Sequence, residues 1–166
     1  TEKELETVKN ESNSNKTNIG TESIIKSNYV SEAVQIIGRL KNIKNITIDI
    51  GGGSAKHIGP ELLREIGCQV TTINDDLNKC SRGPDPTTDE LTELISKTKD
   101  VGFAFDLDSD RVILVMDGEK KSSDITLGLG VVKAIKLGIK KFVLSLDSSI
   151  AVEKYIKNNG GEVWRS

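Results

Sequence analysis

Asp106, Asp108 and Asp110 stand at alternate positions directly after the apolar run VGFAF. Three carboxylates this close repel one another strongly unless a cation stands between them. Oxygen ligands select a hard ion, and a site with positions left open to water or phosphate suits Mg2+. Arg111 follows at once and can hold a phosphate oxygen through its guanidinium fork. A cation beside an arginine is the equipment for stabilising a transferring phosphoryl group. The plain alternative is a solvated acidic turn between two strands. An apolar strand running straight into three alternating aspartates argues against it, because open α/β sheets place their ligands at the carboxyl ends of strands.

Two other carboxylate motifs are weighed against this. A calcium-binding helix–loop–helix would also begin Asp-x-Asp-x-Asp, and Asp117 falls at its twelfth place. Its sixth place requires glycine and holds Arg111, and strands rather than helices flank the loop. That reading fails. A two-aspartate phosphatase loop would carry a small hydroxyl or apolar residue where Asp110 stands, so that match is weak.

The run Gly51-Gly52-Gly53-Ser54 follows a strand and precedes a helix, a place where backbone amides can cradle phosphate. It matches neither the dinucleotide fingerprint nor the P-loop, since no Gly-Lys-Ser/Thr follows. A tight strand-to-helix turn is its expected role. His57, the only histidine, reads as a surface residue rather than a base. No Ser-His-Asp or Cys-His set assembles.

The elements that must position the aspartates alternate. A helix is expected over Val30–Leu40, a strand over Ile46–Ile50, a helix over Pro60–Ile66 with proline in its first turn, and a strand at QVTTIN. The prolines of CSRGPDP forbid regular structure. A helix over TTDELTELISKTK, capped by a Thr or Asp, then leads to VGFAF, the acidic turn and the strand VILVM. A helix, strand, helix and short strand complete the chain. This order predicts an α/β fold with a mixed, mainly parallel sheet and helices on both faces. Residues 1–28 read as the end of a preceding domain plus a flexible Asn/Ser/Thr-rich linker. Residues 29–117 read as the metal-loop domain, and 118–166 as an incomplete second α/β unit.

Composition narrows the partners. The formal net charge of −2 leaves no electrostatic case for nucleic acid, and no Lys/Arg cluster tracks a phosphate backbone. No apolar run is long enough to cross a bilayer, and no signal-peptide pattern opens the sequence. Cys68 and Cys80 lack metal-type spacing, so reduced thiols in a cytoplasmic protein are expected. The N-x-Ser/Thr triplets at Asn10, Asn15 and Asn45 carry little weight without a secretion signal, and Asn45 opens an apolar strand.

Several segments resemble, in order, the alpha-D-phosphohexomutase family of phosphomannomutase/phosphoglucomutase type. GFAFDLDSDR is similar to that family's metal loop, G-[IF]-A-F-D-G-D-[AGS]-D-R. ITIDIGGGSAKHIGPELLREIGCQV resembles the opening of its second domain, and RGPDPTTDEL its R-x-P-E-P-x-x-E-x-L stretch. SLDSSIAVEKYIKNNGGEVWRS resembles the start of its third domain. The resemblance runs from Tyr29 to Ser166.

The resemblance implies an enzyme that moves a phosphoryl group between the 1- and 6-positions of a hexose through a bisphosphate intermediate. Its partners are then a hexose phosphate and a hexose bisphosphate. Mg2+ would be held by Asp106, Asp108 and Asp110, with a phosphoserine of the first domain completing the site and Arg111 as the catalytic arginine beside it. That serine loop is expected before this sequence, and the sugar and phosphate loops after it, so the segment alone is expected to be inactive. Leu107 departs from the pattern, standing where the family has a glycine able to adopt positive φ. That departure and the missing flanks motivate a second reading, a degenerate homologue or truncated module acting as a non-catalytic binding module. A separate magnesium phosphatase is a third. An exposed sheet edge could also pair two copies into a homo-oligomer.

Overall fold

The computed structural model describes residues 27–42 and 44–166. The expected linker and the triplets at Asn10 and Asn15 lie largely or wholly outside these residues. A five-stranded mixed sheet runs in the order β2-β1-β3-β4-β5. Its strands are β1 (Asn45–Asp49), β2 (Gln69–Ile73), β3 (Val101–Phe105), β4 (Val112–Met116) and β5 (Glu119–Lys120). β1 pairs in parallel with both β2 and β3, whereas β3–β4 and β4–β5 are antiparallel. The parallel pairs need crossover helices, which are α1 (Tyr29–Ile37) leading in, α2 (Ile58–Glu65) and α3 (Thr92–Lys97).

β1 is an interior strand, and its β-branched residues are buried on both faces, as a covered parallel strand requires. Ile46, Ile48 and Ile50 share one face and pack with Ala55, Ile66 and Cys68, joined by Val34, Leu62, Phe103 and Phe105. Thr47 points the other way and donates to the Lys97 carbonyl at the end of α3 (3.2 Å). On that face Leu91 and Leu94 pack against Ala104, Ile113 and Val115. Helices therefore cover both faces of the sheet.

α3 is shorter than the thirteen-residue pattern predicts, and neither Thr nor Asp caps it. Asp85 Oδ1 accepts from the Thr87 amide and hydroxyl, and Asp89 Oδ1 accepts from Leu91 N. Lys120 Nζ meanwhile takes the carbonyls of Thr87 and Asp89, which a helix would have used (2.7 and 2.6 Å). Leu91 is left-handed (φ 54°), and the helix starts only after it. Side-chain competition for backbone groups has delayed the helix by about one turn.

The β4–β5 hairpin turns at Asp117 and Gly118, both with positive φ, the geometry that tight hairpins favour. Beyond it, α4 (Ser123–Lys136) packs against β4 and against α5 (Ile150–Asn158). β6 (Lys141–Leu144) and β7 (Glu162–Arg165) form a separate parallel pair. Their core is Val131, Leu144, Val152 and Ile156. Among the described residues, no helix is long and apolar enough to cross a membrane.

Candidate metal centre

The acidic loop leaves β3 at its carboxyl end and returns as β4, so the Phe105↔Val112 pairing forms its base. Within it, Asp106, Asp108 and Asp110 each present one carboxylate oxygen, and these oxygens lie within 4.8 Å of one another. Ligands about 2.0–2.1 Å from a Mg2+ ion stand roughly 3–4 Å apart, so the donor set fits a hard cation after small rotations. Asp106 is buried, whereas Asp108 and Asp110 are exposed, which leaves an outer side open to further ligands.

Electrostatics within the loop are those of crowded acids. Burial works to raise the Asp106 pKa, but hydrogen bonds from the Arg111 amide and within the loop outweigh it and hold the carboxyl below its usual range. Asp110 is pushed up, first by the hydrogen bond it shares with Asp106 and then by the charges of Asp108 and Asp106. A cation would relieve that repulsion.

The loop is fixed from three directions. Arg111 N donates to Asp106 Oδ1 (3.0 Å), closing it on itself. From the β1 turn, Ser54 N donates to the Leu107 carbonyl (2.8 Å), and the Ser54 and Ser109 hydroxyls meet at 2.9 Å. From beneath, Arg82 donates from Nη2 to the Phe105 carbonyl (2.5 Å) and from Nη1 to Gly83 O (2.9 Å). The Arg82 Nε lies 2.9 Å from Asp49 Oδ2, and both side chains are almost wholly buried, 3% and 2% exposed. Arg82 Nε finds no hydrogen-bond partner there, so the contact is an ion pair, while Asp49 accepts hydrogen bonds from Gly51 N (3.0 Å) and Asn74 Nδ2 (2.9 Å).

The glycine run is the wall against which the loop rests. Its amides are occupied: Gly51 N on Asp49 Oδ1, Gly52 N on Asn74 O, Gly53 N on Ile50 O and Ser54 N on Leu107 O. No phosphate cradle is left, in agreement with a strand-to-helix turn. A Cβ on Gly53 would fall 2.5 Å from Leu107 O and 2.9 Å from Asp106 O, so glycine here allows two backbones to touch. His57 is exposed at the start of α2.

Arg111 sits beside the three aspartates, but its strongest partner is a fourth acid. Nη1 lies 2.7 Å from Asp85 Oδ2, whereas Nε is 3.7 Å from Asp106 and 3.9 Å from Asp110. Its fork is therefore only partly free for a phosphate. Leu107 does not strain the loop, since Ser109 (φ 65°) is the residue in the left-handed region. Leu107→Gly is thus expected to leave Mn2+ affinity within about twofold and to lower stability by about 0.4–1 kcal/mol through chain entropy. Calorimetric titration and urea unfolding read both effects; a tenfold gain in affinity would show that Leu107 distorts the site.

Sequence reasoning located the aspartates and Arg111 but not Asp49, Arg82 or the Asp85 contact. Their signals were the resemblance of RGPDPTTDEL to the R-x-P-E-P-x-x-E-x-L stretch, in which Arg82 and Asp85 fill named places, and the position of Asp49 just before the glycines.

Comparison with known proteins is consistent along the chain. Residues 27–119 match the model of phosphoglucomutase/phosphomannomutase, alpha/beta/alpha domain II. A probable phosphoglucosamine mutase of Pyrococcus abyssi is 34% identical over 142 residues, covering 81% of this chain and 32% of that protein. The phosphoglucosamine mutase of Methanococcus vannielii is 31% identical over 140 residues, covering 75% of this chain and 31% of that protein. The chain thus spans about a third of the length of the curated relatives it matches. A crystal structure of a phosphoglucomutase/phosphomannomutase family protein from Burkholderia thailandensis shares the fold. It has a TM-score of 0.68 and 24% identity, and the match covers 82% of this chain and 32% of that one.

Proposed function

The chain belongs to the phosphoglucomutase/phosphomannomutase family, and on that premise we propose that it supplies the metal site of a longer sugar-phosphate mutase. The parent moves a phosphoryl group between the 1- and 6-positions of a hexose through a hexose bisphosphate. The observation that carries the reading is the meeting of three carboxylate oxygens within 4.8 Å at the carboxyl end of β3, beside Arg111. Asp106, Asp108 and Asp110 would hold Mg2+, and the bound ion would withdraw charge from the phosphoryl oxygens as the group transfers.

The chain's own residues do the rest. Asp106, tied down by the Arg111 amide, would be the buried ligand, and exposed Asp108 and Asp110 would bind the ion from the solvent side, leaving positions open to phosphate. Arg111 is the catalytic residue of this segment: its Nε edge faces the acids and can meet a phosphate oxygen there. The serine that carries the phosphoryl group belongs to another part of the parent, so the segment alone does not turn over. Residues 29–117, together with the short strand β5, form the metal-loop domain, and the residues through 166 begin the next one. The free thiols of Cys68 and Cys80 support a cytoplasmic setting. The names borne by the curated relatives make an amino-hexose phosphate the first substrate to try. The degenerate-homologue reading rested on Leu107 and on the missing flanking domains; the absence of positive φ at Leu107 weakens the first of these grounds.

The longer protein, given hexose 1-phosphate, a trace of the bisphosphate and Mg2+, is expected to form the 6-phosphate by phosphorus NMR. Asp108→Ala is expected to slow it by at least about a hundredfold, the scale of losing one charge-stabilising group. Wild-type turnover in that variant, or none from the wild-type parent, would overturn the proposal.

A further inference from the structure

Both ends of the acidic loop are held by one short segment from another part of the sequence. At the entry end, Arg82 donates to the Phe105 carbonyl, the peptide immediately before Asp106. At the exit end, Asp85 Oδ2 binds the Arg111 guanidinium, one residue after Asp110. Between them lie Gly83 and Pro84, and Pro86 follows, fully buried, so the segment is stiff where it needs to be.

Each anchor is itself anchored. Arg82 is paired with the buried Asp49 at the end of β1, so its grip on Phe105 ties the entry of the loop to that neighbouring strand. Asp85 uses its two oxygens for different tasks. Oδ1 closes the turn through the Thr87 amide (2.8 Å) and hydroxyl (2.6 Å), and Oδ2 is left for Arg111 (2.7 Å). A side chain fixed by its own turn offers Arg111 a rigid partner, not a floating surface carboxylate. The guanidinium is thereby held with Nε toward Asp106 and Asp110.

We propose that Arg82 and Asp85 are positioning residues for the metal centre: the 82–85 segment is a two-point clamp that fixes the span of the acidic loop and the orientation of Arg111. This rests on the metal reading of the loop. Outer residues that orient ligands typically change metal affinity by about 10–100-fold when lost.

Asp85→Asn tests the exit end cleanly, because the amide oxygen can still close the Thr87 turn while the amide nitrogen cannot accept from Arg111. Free Mn2+ is followed by electron paramagnetic resonance in the full chain, with thermal unfolding recorded in parallel. The variant is expected to bind Mn2+ about tenfold more weakly with its melting temperature nearly unchanged. In an Arg111→Gln background the same substitution is expected to add little, since Asp85 acts through Arg111. Arg82→Lys, which keeps a cation opposite Asp49 but cannot also reach Phe105 O as a fork does, is expected to show a similar loss. Should that variant unfold, the Asp85 arm decides.

Unchanged binding in Asp85→Asn overturns the clamp, as does an equal loss in the Arg111→Gln background, which would mark a bare charge effect. A wild-type chain that binds no Mn2+ fails the metal reading itself and leaves the clamp nothing to position.

Discussion

Replacing Arg82 with methionine is expected to lower stability by about 3–5 kcal/mol, the cost of stripping one partner from a buried ion pair. The remaining carboxylate of Asp49, 2% exposed, would keep only Gly51 N and Asn74 Nδ2 against its charge. The Phe105 carbonyl would lose its donor at the mouth of the acidic loop. Urea unfolding followed by far-UV circular dichroism measures the loss, and Mn2+ titration of the folded fraction measures the effect on the site. Adding Asp49→Leu to this variant removes the uncompensated charge and is expected to recover part of the stability. Recovery stays incomplete because Gly51 N and Asn74 then lack their acceptor. A loss below about 1 kcal/mol would mean that the pair is solvated and does not tie the acidic loop to β1.

Gly53→Ala is expected to abolish detectable metal binding while leaving a folded chain. The new methyl would sit 2.5 Å from Leu107 O, 2.8 Å from Leu107 Cα and 2.9 Å from Asp106 O, all backbone atoms of the acidic loop. Backbone cannot swing aside as a side-chain tip can. Either the β1 turn or the acidic loop must therefore shift, breaking the bond from Ser54 N to Leu107 O. Overpacking of this kind costs about 1–3 kcal/mol. The larger consequence falls on geometry, because binding sites need their ligands held to about half an ångström. Mn2+ affinity should fall by at least about a hundredfold, the upper range for changes in supporting residues. Near wild-type affinity in Gly53→Ala would show that the loop is not braced by the glycine turn.

Much of the frame was legible because its signals are local. β-branched runs ended by glycine marked β1, and VGFAF followed by aspartates marked both β3 and the site. Pro60 fell in the first turn of α2 as its chemistry requires. The helix at Thr92 was overdrawn, since Lys120, from the hairpin beyond the site, captures the carbonyls that would have begun it. That competition is long-range and leaves no periodic trace. The same holds for the ties that shape the site. Arg82 and Asp49 are 33 residues apart, and nothing in their immediate neighbours says that one will bury itself against the other. Leu107 left two conformations open, since a family glycine there can take positive φ and leucine resists it; the loop puts its left-handed residue at Ser109 instead. Residue identity constrains what a backbone resists, and only the folded loop decides where the turn falls.

The most direct test is calorimetric titration of the chain with Mn2+ and Mg2+ beside Asp108→Ala. One saturable site in the wild type, absent in the variant up to millimolar metal, is the predicted result. A folded wild-type chain that shows no binding at millimolar metal, or a variant that binds as well as the wild type, would contradict a metal centre built on Asp106, Asp108 and Asp110.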